Sequence, residues 1–189
     1  MEAMVANLRQ SVEARMGDEA AAGVVDGFER ASRGGRAAVA LWTKGAMARL
    51  DSMAGQEARF SVMEECGHRC AMVNHAPIDG MMARRRRSAD EEAFIQAELR
   101  NPMKGIRLER EGKVIHQYYT PRTFGRGMRC YCSLANGLPE DQVMSSTYCH
   151  CSLAFVREMW QEALGRPVKV ELLKTALTGS NECEFAIHI

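Results

Sequence analysis

The sequence holds seven cysteines, and six of them stand in close pairs. Cys66 and Cys70 bracket Gly67-His68-Arg69; on a helix that spacing stacks both thiols on one face. Cys130 and Cys132 flank Tyr131 in a segment that reads as a strand, where alternation turns both sulfurs to one side. Cys149 and Cys151 flank His150 just ahead of a helix, whose free N–H groups and positive end favour thiolate. Each pair can aim two thiols at one point. Zinc takes about four thiolate or imidazole ligands in a tetrahedron. The residues therefore predict a Zn(II) site with Cys66, Cys70, Cys132 and Cys149 as ligands. Cys130, Cys151 or His150 would substitute, and His68 and His75 lie close in sequence. An iron–sulfur cluster also takes four thiolates and is the less favoured cofactor. The spacings match neither the C-x2-C knuckles of zinc fingers nor the C-x-x-C redox motif.

The same residues admit two other chemistries. Cys149 or Cys151, at a helix start, could be a nucleophile with His150 or His75 as base, giving a hydrolase of a small cyclic or thio-containing substrate. No carboxylate partner for either histidine is visible in the sequence. Alternatively the thiols are reduced and buried, packing as small hydrophobes, in a structural protein that dimerises through its N-terminal helices. Cys183 fits the buried description, since Cys183, Phe185 and Ile187 alternate onto one apolar face.

The elements that must position these residues change character near residue 100. The first hundred residues are rich in Ala, Arg, Glu and Met and poor in β-branched types, a helical texture. The periodicity predicts helices over Glu2 to Met16, from Asp18 through Val24, Val25 and Phe28, through Val39 to Leu50, and over Gln56 to about Ala71. A loop is expected over Asn74 to Ser88, then a short helix opened by a Ser88/Glu91 capping box. Beyond it, alternation predicts a hairpin around Glu111-Gly112, a third strand at Met128 to Leu134, a helix at Ser152 to Leu164, and strands at Val168 to Lys174 and Glu182 to Ile189. The fold class is α+β: a helical N-terminal half, then an antiparallel sheet of about four to five strands with an inserted C-terminal helix. Residues 1–58 read as a helical region and 59–189 as a cysteine-rich ligand-binding domain, the two forming one continuous unit.

Composition narrows the function classes. Lys+Arg 25 against Asp+Glu 24 removes any global electrostatic case for nucleic acid. The run Arg84-Arg85-Arg86-Arg87 is offset by Asp90, Glu91 and Glu92 and reads as solvated. No apolar run reaches the length of a membrane span, and the N-terminus lacks a signal-peptide core, which points to the cytoplasm and to reduced thiols. Tyr118 and Tyr119 end a strand where their rings could line a pocket, and the abundant methionines could line an adaptable apolar one. The expected partner is a small-molecule ligand, with no nucleic acid, no membrane, and a homodimer through the N-terminal helices.

The order Tyr148-Cys149-His150-Cys151, Val156 to Met159, Gly165-Arg166-Pro167-Val168 and Gly179 to Phe185 resembles the end of the 4-vinyl reductase domain family. The segment Cys66 to Ala71 ahead of a Cys-x-Cys strand is similar to relatives of the aminothiazoline-carboxylate hydrolase family. Together the resemblances cover roughly residues 60 to 189. They imply an α+β ligand-binding fold with cysteines beside a small-molecule or metal site, at Cys132, Cys149, Cys151 and Cys183, with Cys66 and Cys70 from the second family.

Overall fold

A computed structural model describes residues 1–189. Seven helices precede the sheet: α1 Glu2–Met16, α2 Asp18–Val25, α3 Phe28–Ser32, α4 Gly35–Met53, α5 Gln56–Val73, α6 Ala76–Arg87 and α7 Glu91–Arg100. Strands β1 Ile106–Glu111 and β2 Val114–Tyr119 form the hairpin, with Gly112 at φ 58 in the turn. Helix α8, His150–Leu164, then leads through a left-handed Gly165 cap to β3 Lys169–Lys174 and β4 Cys183–His188. The class is α+β, as the sequence indicates.

The four strands lie in the order β1-β2-β4-β3, and every pairing is antiparallel. The register sets Ile115 opposite Ile187, Gln117 opposite Phe185 and Tyr119 opposite Cys183. Period two then turns Ile115, Gln117 and Tyr119 inward together with Cys183, Phe185 and Ile187. Helix α8 packs on that inner face, and the buried Trp160 indole donates to Gln117 Oε1 at 2.9 Å. One apolar cluster gathers this face with α6, α7 and α8; a second gathers α1, α2, α4 and α5 with Leu134, Leu138, Tyr148 and Leu177. Their join is the crossing of α5 on α8. An added Cβ at Gly67 would lie 2.2 Å from the Cys151 carbonyl oxygen and 2.8 Å from Ala154 Cβ, so only glycine allows this approach.

Three local expectations are corrected. Asn74 to Ser88 is helix α6, because Pro77 sits in its first turn, where a missing N–H costs nothing. The four arginines occupy its last turn, favoured by the negative helix end. The cap of α7 is Asp90, whose Oδ1 accepts from Ala93 N at 2.7 Å, and not Ser88, which bonds back to Arg84 O. Met128 to Leu134 is not a strand. It is an irregular segment fixed by the buried Arg129, which donates to the carbonyls of Ala176 and Pro139 at 2.9 and 3.2 Å and to that of Gln142.

Candidate functional site

Cys66, Cys70, Cys130, Cys132, Cys149, Cys151 and Cys183 are all free thiols. The structure gathers them around the α5–α8 crossing, in two groups. The i, i+4 spacing on α5 turns Cys66 and Cys70 to the same side. Cys151, in the first turn of α8, lines one small void with both. Asn74 Nδ2 donates to Cys70 Sγ at 3.3 Å. Cys149 closes the preceding 3-10 turn, Ser146–Cys149, and faces the other way. Residues two apart on a helical path diverge by about 200°, so the C-x-C pair splits. Cys149 meets Cys130 and Cys183 around a void of about 40 Å³ beside the sheet. Cys151 lines a void of about 20 Å³ with Cys66, Cys70, Met4 and Tyr148. Cys132 borders both and its thiol lies 3.6 Å from Met4 Sδ.

These surroundings keep the thiols protonated. Burial pushes Cys149 up to about 12. It raises Cys130 well above the ordinary thiol value, and Cys132 and Cys183 as well. Cys151 is raised first by its neighbour Cys66, and Cys70 first by its neighbour Cys151, burial adding in each case.

The histidines stand apart from the sulfurs. His150 Nδ1 lies 3.6 Å from Glu64 Oε1, and its ring stacks on Phe60 with centroids 3.6 Å apart. His150, and after it Arg157 at 2.8 Å, hold the Glu64 carboxyl below the usual range. His68 faces Glu158 at 3.4 Å and His75 faces Asp79 at 3.0 Å. His150 therefore has the carboxylate partner that the sequence did not reveal, and neither His150 nor Glu64 lines the voids of Cys149 and Cys151.

The zinc expectation is corrected on this geometry. No group of three or more Cys, His, Asp or Glu side chains is placed to hold a metal ion. Cys149 lines a different void from Cys66 and Cys70; the substitute Cys151 borders theirs together with Cys132, yet no three of these side chains, Cys130 and His150 included, converge on a common point. The iron–sulfur alternative fails for the same reason. Other groups meet the sulfurs: Ala176 N donates to Cys183 Sγ at 3.4 Å, and Cys132 Sγ donates to Met4 Sδ at 3.6 Å.

What the fold builds beside the thiols is a cavity of about 370 Å³. Residues 103–106, the start of α6, the first turns of α8 and the segment after β2 wall it in. Its apolar surface comes from the rings of Tyr119, Phe124, Tyr131 and Phe155 and from Met4, Met103 and Met159. Tyr131 packs edge-on between Tyr119 and Phe124, with centroids 5.4 Å apart on each side. The wall needs Gly105: at φ 81, an added Cβ would lie 2.2 Å from the Phe124 ring. Tyr131 Oη donates to the Gly105 carbonyl at 2.5 Å. Cys70, Cys132 and Cys151 form part of the floor, and Asn74 and Ser152 add polar groups. Lys104 is the single charged residue of the lining; its Nζ lies 5.0 Å from the Phe124 centroid and has no carboxylate partner. Tyr119 lines this space, while Tyr118, one residue on, lies on the outer sheet face beneath Arg107 at 3.6 Å. The sequence pointed to Cys70, Cys132, Cys151, Tyr119 and the methionines. It gave no sign of Phe124, Tyr131 or Lys104, because no regular element carries them to the cavity.

No helix is long and apolar enough to cross a membrane. Among solved structures, an H-NOX protein from K. algicida in its Fe(II) unliganded form overlays with a TM-score of 0.48 at 13% identity, covering 98% of this chain and 94% of that one. At that level of overlay nothing of its iron carries over. No curated protein matches the sequence. The resemblances to the 4-vinyl reductase and aminothiazoline-carboxylate hydrolase families are corrected by the family that does match, and the reductase and hydrolase readings fall with them. Residues 3–189 fit the profile described as Family of unknown function (DUF6144), and the chain belongs to that family.

Proposed function

We propose that the chain is a small-molecule-binding protein whose site is the cavity between α6, α8 and the segment after β2. The observation that carries this reading is the make-up of its wall. Four aromatic rings and three methionine side chains surround about 370 Å³, with one lysine and no carboxylate among them. Sites of this size and texture hold organic molecules of modest size, the apolar wall supplying affinity and a few polar groups fixing orientation. The methionines let the wall adapt to ligand shape. Lys104, Asn74 and Ser152 favour a ligand that carries an anionic or hydrogen-bond-accepting group at one end. The ligand class is thus a flat, largely apolar molecule with one acid or acceptor group.

The anilinonaphthalene sulfonate ANS has those features and reports its own binding by fluorescence. The natively folded chain is expected to bind one ANS saturably. Ser152→Leu fills the cavity from the first turn of α8 and should abolish that binding while near-ultraviolet circular dichroism stays native. Lys104→Met, on an exposed cation, should weaken binding only a few-fold, on the order of 1 kcal/mol. Absence of saturable binding, or binding indifferent to Ser152→Leu, would contradict the reading.

A further inference from the structure

The structure assigns a second property to the cavity wall: we propose that Cys70 and Cys151 are an oxidisable pair, converted by an organic hydroperoxide into a disulfide that links α5 to α8. Three observations place the pair. The two thiols line one small void of about 20 Å³ at the helix crossing. That crossing is pinned at its closest point by Gly67 against the Cys151 carbonyl, one helical turn from Cys70. Both sulfurs line the open apolar cavity and are half-buried, whereas Cys66, the other neighbour of Cys151, is buried and does not line it. An apolar hydroperoxide entering the cavity therefore meets Cys70, Cys132 and Cys151, and of these Cys132 is engaged with Met4 Sδ at 3.6 Å, which leaves Cys70 and Cys151 as the pair. Both thiols rest protonated; Asn74 Nδ2 donates to Cys70 Sγ at 3.3 Å, which favours charge on that sulfur over Cys151 as the reaction proceeds and marks it as the attacking one.

The chemistry balances in two steps. The Cys70 sulfur attacks the terminal peroxide oxygen as its proton passes to the departing alkoxide. An S–O bond forms, the O–O bond breaks, and the alkoxide takes a proton and leaves as the alcohol. The Cys151 sulfur then attacks the resulting sulfenic acid. The S–S bond forms, the S–O bond breaks, and the hydroxyl leaves as water with the Cys151 proton. Two thiols lose two electrons in all, and the hydroperoxide is reduced to alcohol and water. Closeness of the second thiol makes this step intramolecular, which favours it over further oxidation of the sulfenic acid.

The proposal depends on the cavity reading only for its route of access. Reduced full-length protein is treated with cumene hydroperoxide, quenched by alkylation, digested and mapped by mass spectrometry. A Cys70–Cys151 linkage that dithiothreitol reverses is expected as the main product, with Cys66, Cys130, Cys132, Cys149 and Cys183 still alkylatable after denaturation. In Cys151→Ser, Cys70 should accumulate as a dimedone-reactive sulfenic acid. In Cys70→Ser, Cys151 should stay reduced. A Cys66–Cys151 or Cys66–Cys70 linkage in place of the expected one, or loss spread evenly over all the thiols, overturns the proposal. ANS binding by the reduced protein reads the cavity separately. Linkage without ANS binding leaves the pair standing and removes the cavity reading; ANS binding with no linkage does the reverse.

Discussion

A thiol surrounded by hydrocarbon and by other thiols holds its proton, and that has a consequence for stability. Cys149 has its folded-state value pushed up to about 12, and Cys130, Cys132, Cys151 and Cys183 are raised with it. In the unfolded chain these groups ionise near pH 8.5. Between that pH and their folded values the native state binds more protons than the unfolded one, so stability falls as pH rises. The contribution is complete below about pH 8 and is lost progressively toward pH 12. Melting temperature should drop steeply above pH 9, and Cys149→Val should flatten that slope. A profile unchanged by the substitution would show that the thiol does not titrate in this window. A second residue-scale test concerns Glu98, whose side chain is 4% exposed and is gripped by Arg84 at 2.6 and 3.1 Å. Arg84→Met strands a buried carboxylate and should cost roughly 2–4 kcal/mol in urea unfolding. At this scale the sequence was informative where a helix imposed the geometry. Cys66 and Cys70 could be placed together from their spacing alone. Cys149 and Cys151 could not, because whether a C-x-C pair converges or splits depends on where the 3-10 turn gives way to α8.

Helices show the same division between local and non-local causes. Helices α1, α5 and α8, together with the hairpin, follow from apolar period, turn glycines and the Gly165 stop, all local signals. For the stretch that forms α6 the sequence predicts a loop, since Pro77, Gly80 and the arginine run each weigh against a helix interior. In fact Pro77 occupies the first turn and the arginines the last. Alternation predicts a strand over Met128 to Leu134, but what fixes the segment is Arg129 reaching across to Ala176, a distant contact. Two glycines make a paired test of element packing. Gly45, inside α4, would meet only the far end of the Arg49 side chain at 3.4 Å. Gly45→Ala should therefore stabilise by about 0.5–1 kcal/mol, through helix propensity alone. Gly67→Ala, at the α5–α8 crossing, drives a methyl into backbone and should cost about 3 kcal/mol or more. Thermal denaturation of both variants side by side gives the signs. Equal effects would mean that the crossing is looser than described.

For the molecule as a whole, the sheet is covered on one face only, and the covering helix α8 serves both apolar clusters. The thiols collect where those clusters meet, and the ligand cavity opens beside them. This arrangement explains how a cysteine-rich sequence can lack a metal centre: the sulfurs face two small voids and one apolar space, with no set of ligands around a common point. Their nearness was legible in the pairing of positions, but their division between cavities is a property of the assembled chain. The most direct measurement is a crystal structure of the protein soaked with a bromonaphthalene sulfonate. Bromine anomalous signal is expected inside the space bounded by Phe124, Tyr131 and Phe155, with the sulfonate turned toward Lys104. Bromine found only on the outer surface, with that space filled by side chains, would contradict the binding account.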